Sequence, residues 1–197
     1  HRHSSGAFGV WFQLFLLLRK ADDTMTQTKA SLRRDIMAAR KAHHAAHGPD
    51  AASALAAQAD ALALPPQQTI AAYMPMGSEI DCRPLLADLV ARGHRLCLPV
   101  CINADAPMRF RAYHHGDKLV ADAAGALAPG SEAANVQPDI VFLPLIGFDR
   151  DGMRLGRGGG YYDRTLEDLR ARWSVAAYGL AYDMQLLDKC PAAPHDQ

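Results

Sequence analysis

The sequence predicts a three-layer α/β fold, Rossmann-like, in which helices flank a mostly parallel β-sheet. Two observations lead to this class. Short apolar stretches bounded by turn residues alternate with stretches of helical spacing, and a glycine-rich turn stands between the most apolar predicted strand and a helix. The 197 residues can bury one core but are too few for two comfortable domains. A single domain over residues 25–197 is therefore expected.

The N-terminal residues 1–24 differ from the rest, and we interpret them as an extension or artefact, with Met25 as the natural start. Their apolar run, Val10 to Leu18, is shorter than the about 20 residues that a helix needs to cross a bilayer. The basic residues follow this run, whereas those of a signal peptide precede it. No membrane anchor is expected.

Two helices are predicted ahead of the sheet, over residues 28–44 and 50–64. The first has an apolar stripe of helical spacing, and the second is alanine-rich and ends before Pro65. Beside the apolar stripe runs a basic strip whose members fall within about 40° of each other on a helix. The members of this strip are Lys29, Arg33 and Arg40. Such a strip is usually a solvated face, and contact with a ligand is the second interpretation.

The sheet follows these helices. Residues 69–73 are predicted as a short buried strand, and residues 83–92 as a helix with Pro84 in its first turn and Gly93 at its end. A glycine- and alanine-rich loop is expected through about Val136. Further strands are predicted over 94–100, 108–113, 139–144 and 174–180, and a further helix over 161–172. Ligands of such folds bind beyond the carboxyl ends of the strands.

Composition limits the partners and the compartment. The 21 basic and 21 acidic residues give no net charge, so there is no general attraction to nucleic acid or to an anionic membrane. The four cysteines do not form the closely spaced pairs of a zinc site. Cys97 and Cys101 could share one strand face as a ligand pair, but buried free thiols are the favoured interpretation. We expect a monomeric cytoplasmic protein that binds small molecules, not nucleic acid or membranes.

The glycine-rich segment from Arg154 to Asp163 is the part of the chain with the clearest chemistry. Glycines let the backbone adopt positive φ angles, so that successive N–H groups and the N-terminus of the following helix can point at anionic oxygens. Arg154 and Arg157 add charge-assisted donors for phosphoryl oxygens. Asp163 can supply an oxygen ligand to Mg²⁺. These features favour a phosphate site.

Other interpretations of this segment remain open. It is not a Walker A loop, and it lacks the spacing of a dinucleotide fingerprint. It could be only a structural turn between a strand and a helix. Its Arg157-Gly-Gly-Gly-Tyr161-Tyr162 run also resembles RNA-binding low-complexity sequence, but it is single, lies between ordered elements and lacks basic surroundings.

The segment from Gly147 to Asp163 closely resembles the signature of the 5-formyltetrahydrofolate cyclo-ligase family, also called methenyltetrahydrofolate synthetases. Other motifs occur in the family's order across residues 26–197. They are Lys29-Ala-Ser-Leu-Arg33, Tyr73-Met-Pro-Met-Gly-Ser-Glu79, Leu98-Pro99-Val100, Asp139-Ile-Val-Phe-Leu-Pro144, Tyr182-x-x-Gln185 and His195-Asp196. The family continues past Gln197 into a final strand, so the domain is expected to lack its last strand.

The resemblance implies two sets of ligand contacts. The residues expected to bind ATP are Lys29, Arg33, Arg154, Leu155, Gly156, Arg157, Gly158, Gly159, Gly160, Tyr161 and Tyr162. Those expected to bind the folate substrate are Met74, Glu79, Arg157, Gly158, Gly159, Gly160 and Tyr161. Glu79 would contact the pterin, with Tyr73 beside it, and a carboxylate suits an N–H-rich ring edge. Without the family, Glu79 would be taken as a solvated loop residue.

The resemblance further implies the reaction and its cofactors. The formyl oxygen of 5-formyltetrahydrofolate attacks the γ-phosphoryl group of ATP, and N10 then closes the ring to give 5,10-methenyltetrahydrofolate, ADP and phosphate. Arg154 and Arg157 are the expected catalytic residues, and Asp163 and Asp196 the expected Mg²⁺ ligands. No side-chain nucleophile is needed, and His43, His44 and His47 are interpreted as an exposed helix face. A non-catalytic nucleotide- or folate-binding protein of the same fold is the alternative.

Overall fold

The computed structural model describes residues 28–191. Within that range the helices are α1 (Lys29–Ala56), α2 (Arg83–Ala91), α3 (Tyr161–Arg170) and a short 3₁₀ helix (Asp183–Gln185). The strands of the same range are β1 (Thr69–Ala71), β2 (Arg95–Val100), β3 (Arg109–Tyr113), β4 (Leu119–Ala121), β5 (Leu127–Pro129), β6 (Ile140–Pro144), β7 (Gly147–Phe148), β8 (Arg154–Leu155) and β9 (Ala176–Leu180).

A five-stranded sheet in the order β3-β2-β1-β6-β9 forms the middle layer. Its strands pair in parallel except for β3, which is antiparallel to β2. Neighbouring residues of a strand face opposite sides: Phe142 packs in an apolar cluster with α1 and α2, whereas Val141 packs in a second cluster with α3. The expected three-layer fold, mostly parallel and flanked by helices, is confirmed.

The strands and helices with strong local signals lie where the sequence predicted them. Helix α2 begins with Pro84 in its first turn and is followed by Gly93 at a φ of +91°. Strand β6 lies inside the sheet, between β1 and β9, and four of its five residues are buried. Because β6 is covered on both faces, its sequence is apolar throughout and does not alternate.

The prediction of two helices ahead of the sheet is wrong. Helix α1 is continuous over 28 residues with Pro49 inside it, and the predicted helical residues 57–62 form turns instead. Pro49 lacks an N–H group and so loses one helical hydrogen bond, but its carbonyl group still accepts one from the Ser53 hydroxyl at 3.1 Å. Buried residues on both sides of it, Ile36 and Ala52 among them, hold the helix together through packing.

The predicted loop between residues 113 and 136 contains a hairpin, β4–β5, that the sequence did not indicate. The Asp122 carboxylate accepts backbone hydrogen bonds at 2.9 Å from Ala124 and 3.0 Å from Ala126 in the hairpin turn. It also accepts one from the Cys101 N–H at 2.8 Å, which ties the hairpin to the end of β2. The small side chains of this segment give little alternation, so the pairing depends on this long-range contact.

A second unpredicted hairpin, β7–β8, presents the start of the glycine-rich segment. The buried Asp149 carboxylate accepts hydrogen bonds from the backbone N–H groups of Asp151 at 3.0 Å and Met153 at 2.9 Å within the turn. It accepts a third from the Cys190 N–H at 2.8 Å. This third bond joins the hairpin to the last described turn of the chain and fixes the direction in which β8 leads into the glycines.

The expectations for residues 1–24, Met25, His195 and Asp196 concern positions outside residues 28–191 and stay predictions, as does the single-domain boundary. Within the described range, no helix is both long and apolar enough to cross a membrane.

Replacing Asp149 by Asn should destabilise the fold in a pH-dependent manner. The amide would turn a donor toward one of the three N–H groups. These groups, the Cys190 N–H first among them, hold the pKa of Asp149 below its ordinary value. The carboxylate's contribution to stability is therefore full above its unfolded pKa of about 3.9 and is lost as the pH falls through its folded pKa.

Urea unfolding of both proteins from pH 7 down to pH 3 checks this prediction. The difference in free energy of unfolding should be largest at pH 7 and shrink below about pH 4. Asp50→Asn, on the exposed face of α1, is the matched control and should change little. If the difference in free energy of unfolding stays constant from pH 7 to pH 3, the stabilisation does not come from the ionised carboxylate of Asp149.

Candidate active site

A cavity of about 580 Å³ opens at the carboxyl ends of the parallel strands β1, β2 and β6. Parallel strands end at the same edge of a sheet, where loops can bring distant residues together. Every site residue that was named from the sequence and falls within residues 28–191 lines this cavity; Asp196 lies outside that range. They are Lys29, Arg33, Met74, Glu79, Arg154, Leu155, Gly156, Arg157, Gly158, Gly159, Gly160, Tyr161, Tyr162 and Asp163.

The glycine-rich segment adopts the backbone conformations that its composition allows. Gly158 has a φ of +101°, and Gly160, the residue that precedes α3, has a φ of +66°. The N-cap residue of α3 is Gly160, which makes no side-chain cap hydrogen bond, and the first three residues of the helix line the cavity. Arg164 ties the segment to a neighbouring loop, because it donates to the Gly159 carbonyl group at 2.9 Å and also to the carbonyl group of Ala104. The glycine-rich backbone therefore forms part of the cavity wall next to a helix N-terminus, an arrangement in which backbone N–H groups can bind phosphate.

Helix α1 closes one side of the cavity with the basic strip. Arg33 donates through Nε to the Gly156 carbonyl group at 2.8 Å, and its guanidinium group lies beside Gly158. Lys29 lines the cavity one turn earlier. The strip is therefore not a solvated face: its charges stand next to the backbone amides of the glycine-rich segment.

Glu79 and Arg157 form an ion pair inside the cavity. Arg157 donates through Nη2 to Glu79 Oε1 at 2.9 Å. The other carboxylate oxygen, Oε2, accepts from the Met76 N–H at 2.9 Å. The side chain of Glu79 is only 5% exposed, whereas that of Arg157 is 49% exposed. Glu79 is therefore a fixed, buried charge, and Arg157 is the partner with room to move.

Arg40, the third member of the basic strip, lies near this ion pair and is 3% exposed. It donates through Nε to the Ser78 hydroxyl at 3.1 Å and through Nη1 to the Leu145 carbonyl group at 3.3 Å. Burial lowers the pKa of the Arg40 guanidinium group, and the neighbouring Glu79 carboxylate opposes that shift. Sequence reasoning assigned Arg40 no definite role, although its place in the basic strip was the signal that could have found it.

Gln185 was recognised from the sequence only as part of a motif, and the structure gives it a clear contact. Its buried amide group donates to the carbonyl groups of Leu145 at 2.7 Å and Ile146 at 2.9 Å. Its amide oxygen accepts from the Tyr182 N–H at 2.9 Å. These bonds hold the chain just after β6, which forms part of the cavity wall.

The histidine cluster is more than an exposed helix face. His44 is half-buried and its Nδ1 lies 2.7 Å from the hydroxyl oxygen of the buried Tyr182, and the ring of His43 also packs against Tyr182. His47 is exposed, as expected. The two inner histidines therefore help to join α1 to the 3₁₀ helix.

The β1 side of the cavity is mainly apolar. The hydroxyl group of the buried Tyr73 donates to the Ile80 carbonyl group at 2.9 Å, and burial raises its pKa. Met74 is half-buried beside it. Sequence reasoning missed the opposite wall, where Pro99, Cys101 and Met108 meet the turn of the β4–β5 hairpin. The signal was weak because that hairpin was not predicted.

Asp163 lies at the open side of the cavity with 71% of its side chain exposed, and it forms an ion pair with Arg154. Within residues 28–191, no three His, Cys, Asp or Glu side chains are grouped so as to hold a metal ion by themselves. The donor set at this edge is thus one carboxylate beside a phosphate-type site. That set suits Mg²⁺, which is commonly bound by one or two carboxylates together with substrate phosphates.

Comparisons with known proteins agree with the geometry. The model of the 5-formyltetrahydrofolate cyclo-ligase family matches residues 25–197. The chain is 39% identical to the 5-formyltetrahydrofolate cyclo-ligase of Mycolicibacterium smegmatis over 137 residues, which cover 66% of this chain and 69% of that protein. It is 35% identical to the Escherichia coli K12 enzyme of the same name over 133 residues, covering 65% and 72%.

Two solved structures share the fold. The Aquifex aeolicus 5,10-methenyltetrahydrofolate synthetase superimposes with a TM-score of 0.70 at 26% identity, covering 86% of this chain and 85% of that one. The synthetase of Mycoplasma pneumoniae gives a TM-score of 0.65 at 25% identity, covering 84% and 92%. With a family match across the whole described range and relatives above 30% identity, the chain belongs to the 5-formyltetrahydrofolate cyclo-ligase family.

Proposed function

We propose that this protein is an ATP-dependent ligase that converts 5-formyltetrahydrofolate into 5,10-methenyltetrahydrofolate with release of ADP and phosphate. The observation that carries the proposal is the cavity itself, in which the glycine-rich segment, Arg157 and the buried Glu79 meet in a chain of this family. The relatives bear the name of this ligase and the similar structures that of the corresponding synthetase.

The two substrates would occupy different parts of the cavity. The phosphates of ATP would lie against the amides of Gly158 to Gly160, with Lys29 and Arg33 beside them, because these residues all line the cavity and Arg33 bonds to the same segment. The pterin would lie near Glu79 and Met74, where a carboxylate can accept from ring N–H groups. Arg157 stands between the two regions, so the reacting groups would meet next to it.

The proposed chemistry needs alignment and charge neutralisation more than covalent help from the protein. The formyl oxygen attacks the γ-phosphorus, and the bond to the ADP oxygen breaks. N10 then attacks the formyl carbon and loses its proton, and phosphate departs with the former formyl oxygen. Arg154 and Arg157 would stabilise the charge on the phosphoryl oxygens. Holding the two substrates in contact supplies the rest of the rate increase.

Mg²⁺ would be bound by Asp163 and Asp196, with the phosphate oxygens completing its ligands. Asp163 supports this part of the proposal because its carboxylate is exposed at the cavity edge, one turn from the glycines. It is paired with Arg154, which would turn toward the phosphates when the cation replaces it. The metal ion would neutralise phosphate charge.

We further propose a monomeric, cytoplasmic enzyme whose partners are small molecules, not nucleic acids or membranes. The zero net charge supports the absence of nucleic acid, because the basic residues of the cavity are local and are balanced elsewhere. The four cysteines are free and buried, which suits a reducing compartment.

Arg157→Ala should lower kcat by about 100- to 1000-fold, the usual loss when one preorganised donor to a developing charge is removed. Formation of methenyltetrahydrofolate, followed by absorbance with ATP and Mg²⁺, measures this effect. Arg150→Ala removes an exposed arginine of the β7–β8 turn that does not line the cavity, and it should leave the rate near that of the wild type. ATP binding without product formation by the wild type would favour the non-catalytic alternative.

Asp163→Asn should raise the Mg²⁺ concentration needed for half-maximal activity. Loss of an outer-shell partner alone costs about 10- to 100-fold in metal affinity, so loss of a direct ligand should cost at least as much. Activity titrations with Mg²⁺ test this, with Asp151→Asn in the exposed turn as the control. An unchanged Mg²⁺ requirement would remove Asp163 from the metal site.

Gly158→Ala and Gly156→Ala form a matched pair for the backbone of the phosphate site. Gly158 has a φ of +101°, where alanine is strained, whereas a Cβ atom at Gly156 would enter open space. The strain of about 1 kcal/mol or more should raise the KM for ATP roughly fivefold at position 158 and little at position 156. Equal effects at both positions would contradict the proposed backbone cradle.

A further inference from the structure

Two arginines that differ in their freedom to move lie near the Glu79 carboxylate. Arg157 bonds to it directly and is 49% exposed, whereas Arg40 is buried and is anchored to Ser78 and Leu145. Ser78 is the immediate neighbour of Glu79, so the same short loop carries the carboxylate and the anchor of Arg40. All three charged side chains line the cavity.

This arrangement conflicts with the proposed function unless it changes on binding. Glu79 is expected to accept from the pterin and Arg157 to donate to the phosphoryl group, yet in the structure they are bound to each other. A buried carboxylate is costly without a cation or N–H donors. Releasing Arg157 is therefore possible only if Glu79 keeps other partners.

Arg40 and the Met76 N–H group are the partners that remain. Oε2 of Glu79 is held by Met76 whatever Arg157 does, and Arg40 stays nearby because it is anchored at two other atoms. The pterin N–H groups would take the place that Arg157 leaves on Oε1. A Cβ atom at Gly156 would meet open space, so the backbone just before Arg157 is not tightly packed.

We propose that Arg40 is a positioning residue that lets Glu79 exchange Arg157 for the pterin, so that folate binding frees Arg157 to bind ATP. The inference rests on the proposed function and adds an energetic coupling between the two substrates. In the absence of folate, ATP competes with Glu79 for Arg157. With folate bound, that competition ends, and by linkage each substrate strengthens the binding of the other to the same extent.

Calorimetric titration with the non-hydrolysable ATP analogue adenylyl imidodiphosphate and Mg²⁺ tests the coupling directly. The wild-type protein should bind the analogue about fivefold or more tightly when saturated with 5-formyltetrahydrofolate. Glu79→Gln, which keeps an acceptor for the Met76 N–H but loses the charge, should bind it that tightly without folate. Glu167→Gln, an exposed glutamate of α3, is the matched control and should behave as the wild type.

The Arg40 variants separate positioning from a merely structural role. Arg40→Gln should leave Arg157 on Glu79, so the analogue should bind weakly with or without folate, and Arg40→Lys should restore part of the coupling. In the double variant Glu79→Gln with Arg40→Gln, binding should be tight again, because no carboxylate remains to hold Arg157. If Arg40 were needed only for the structure, Arg40→Gln would instead weaken binding of the analogue both with Glu79 present and with Glu79→Gln. Thermal unfolding checks that each variant is folded.

Two outcomes would overturn the inference: equal affinity of the wild type for the analogue with and without folate, or no gain in folate-free affinity in Glu79→Gln. Both are distinct from failure of the proposed function, in which the wild type would form no methenyltetrahydrofolate from its substrates. If the enzyme is active but its two substrates bind independently, the proposed function stands and the proposed exchange of partners at Glu79 is wrong.

Discussion

Two side chains from distant parts of the chain meet at the carbonyl oxygen of Leu145, just after the interior strand β6. Arg40 donates to it from α1 and Gln185 from the 3₁₀ helix, and both side chains are buried. Buried polar groups must keep their partners in the folded state, so this junction allows little variation. Because Arg33 and Lys29 lie on the same helix as Arg40, the junction also sets where their charges stand relative to the strand ends.

The electrostatics of the cavity differ from those of the whole chain. A protein of zero net charge gathers five cationic and three acidic side chains around one cavity, and two of the acids, Glu79 and Asp163, are paired with cations of that set. The backbone N–H groups of the glycine-rich segment add partial positive charge without adding an ionised side chain. Such a local field attracts an anionic substrate without making the surface generally adhesive to polyanions. The internal ion pairs also keep the site from being an uncompensated cluster of positive charge before substrates bind.

Local signals predicted the elements that depend on local chemistry. Pro84 and Gly93 marked the ends of α2, and the apolar run of β6 marked a strand covered on both faces. The same kind of signal failed at Pro49, because the cost of one missing hydrogen bond is smaller than the packing on both sides of it. It also failed at the β4–β5 hairpin, whose pairing relies on the Asp122 contact with Cys101. Both failures are cases in which tertiary contacts outweigh local preference.

The sequence by itself determined the family, the class of fold, the freedom of the glycine-rich backbone and the fact that the basic residues of α1 share one face of the helix. The tertiary structure decided which of these groups meet. Arg33 bonds to a carbonyl group 123 residues away, and Arg157 pairs with a carboxylate 78 residues away. Helical spacing fixes the face on which a side chain lies, but its partner depends on where the sheet order brings the next element. That is why the burial of Arg40 and its nearness to the Glu79–Arg157 pair became visible only in the folded chain.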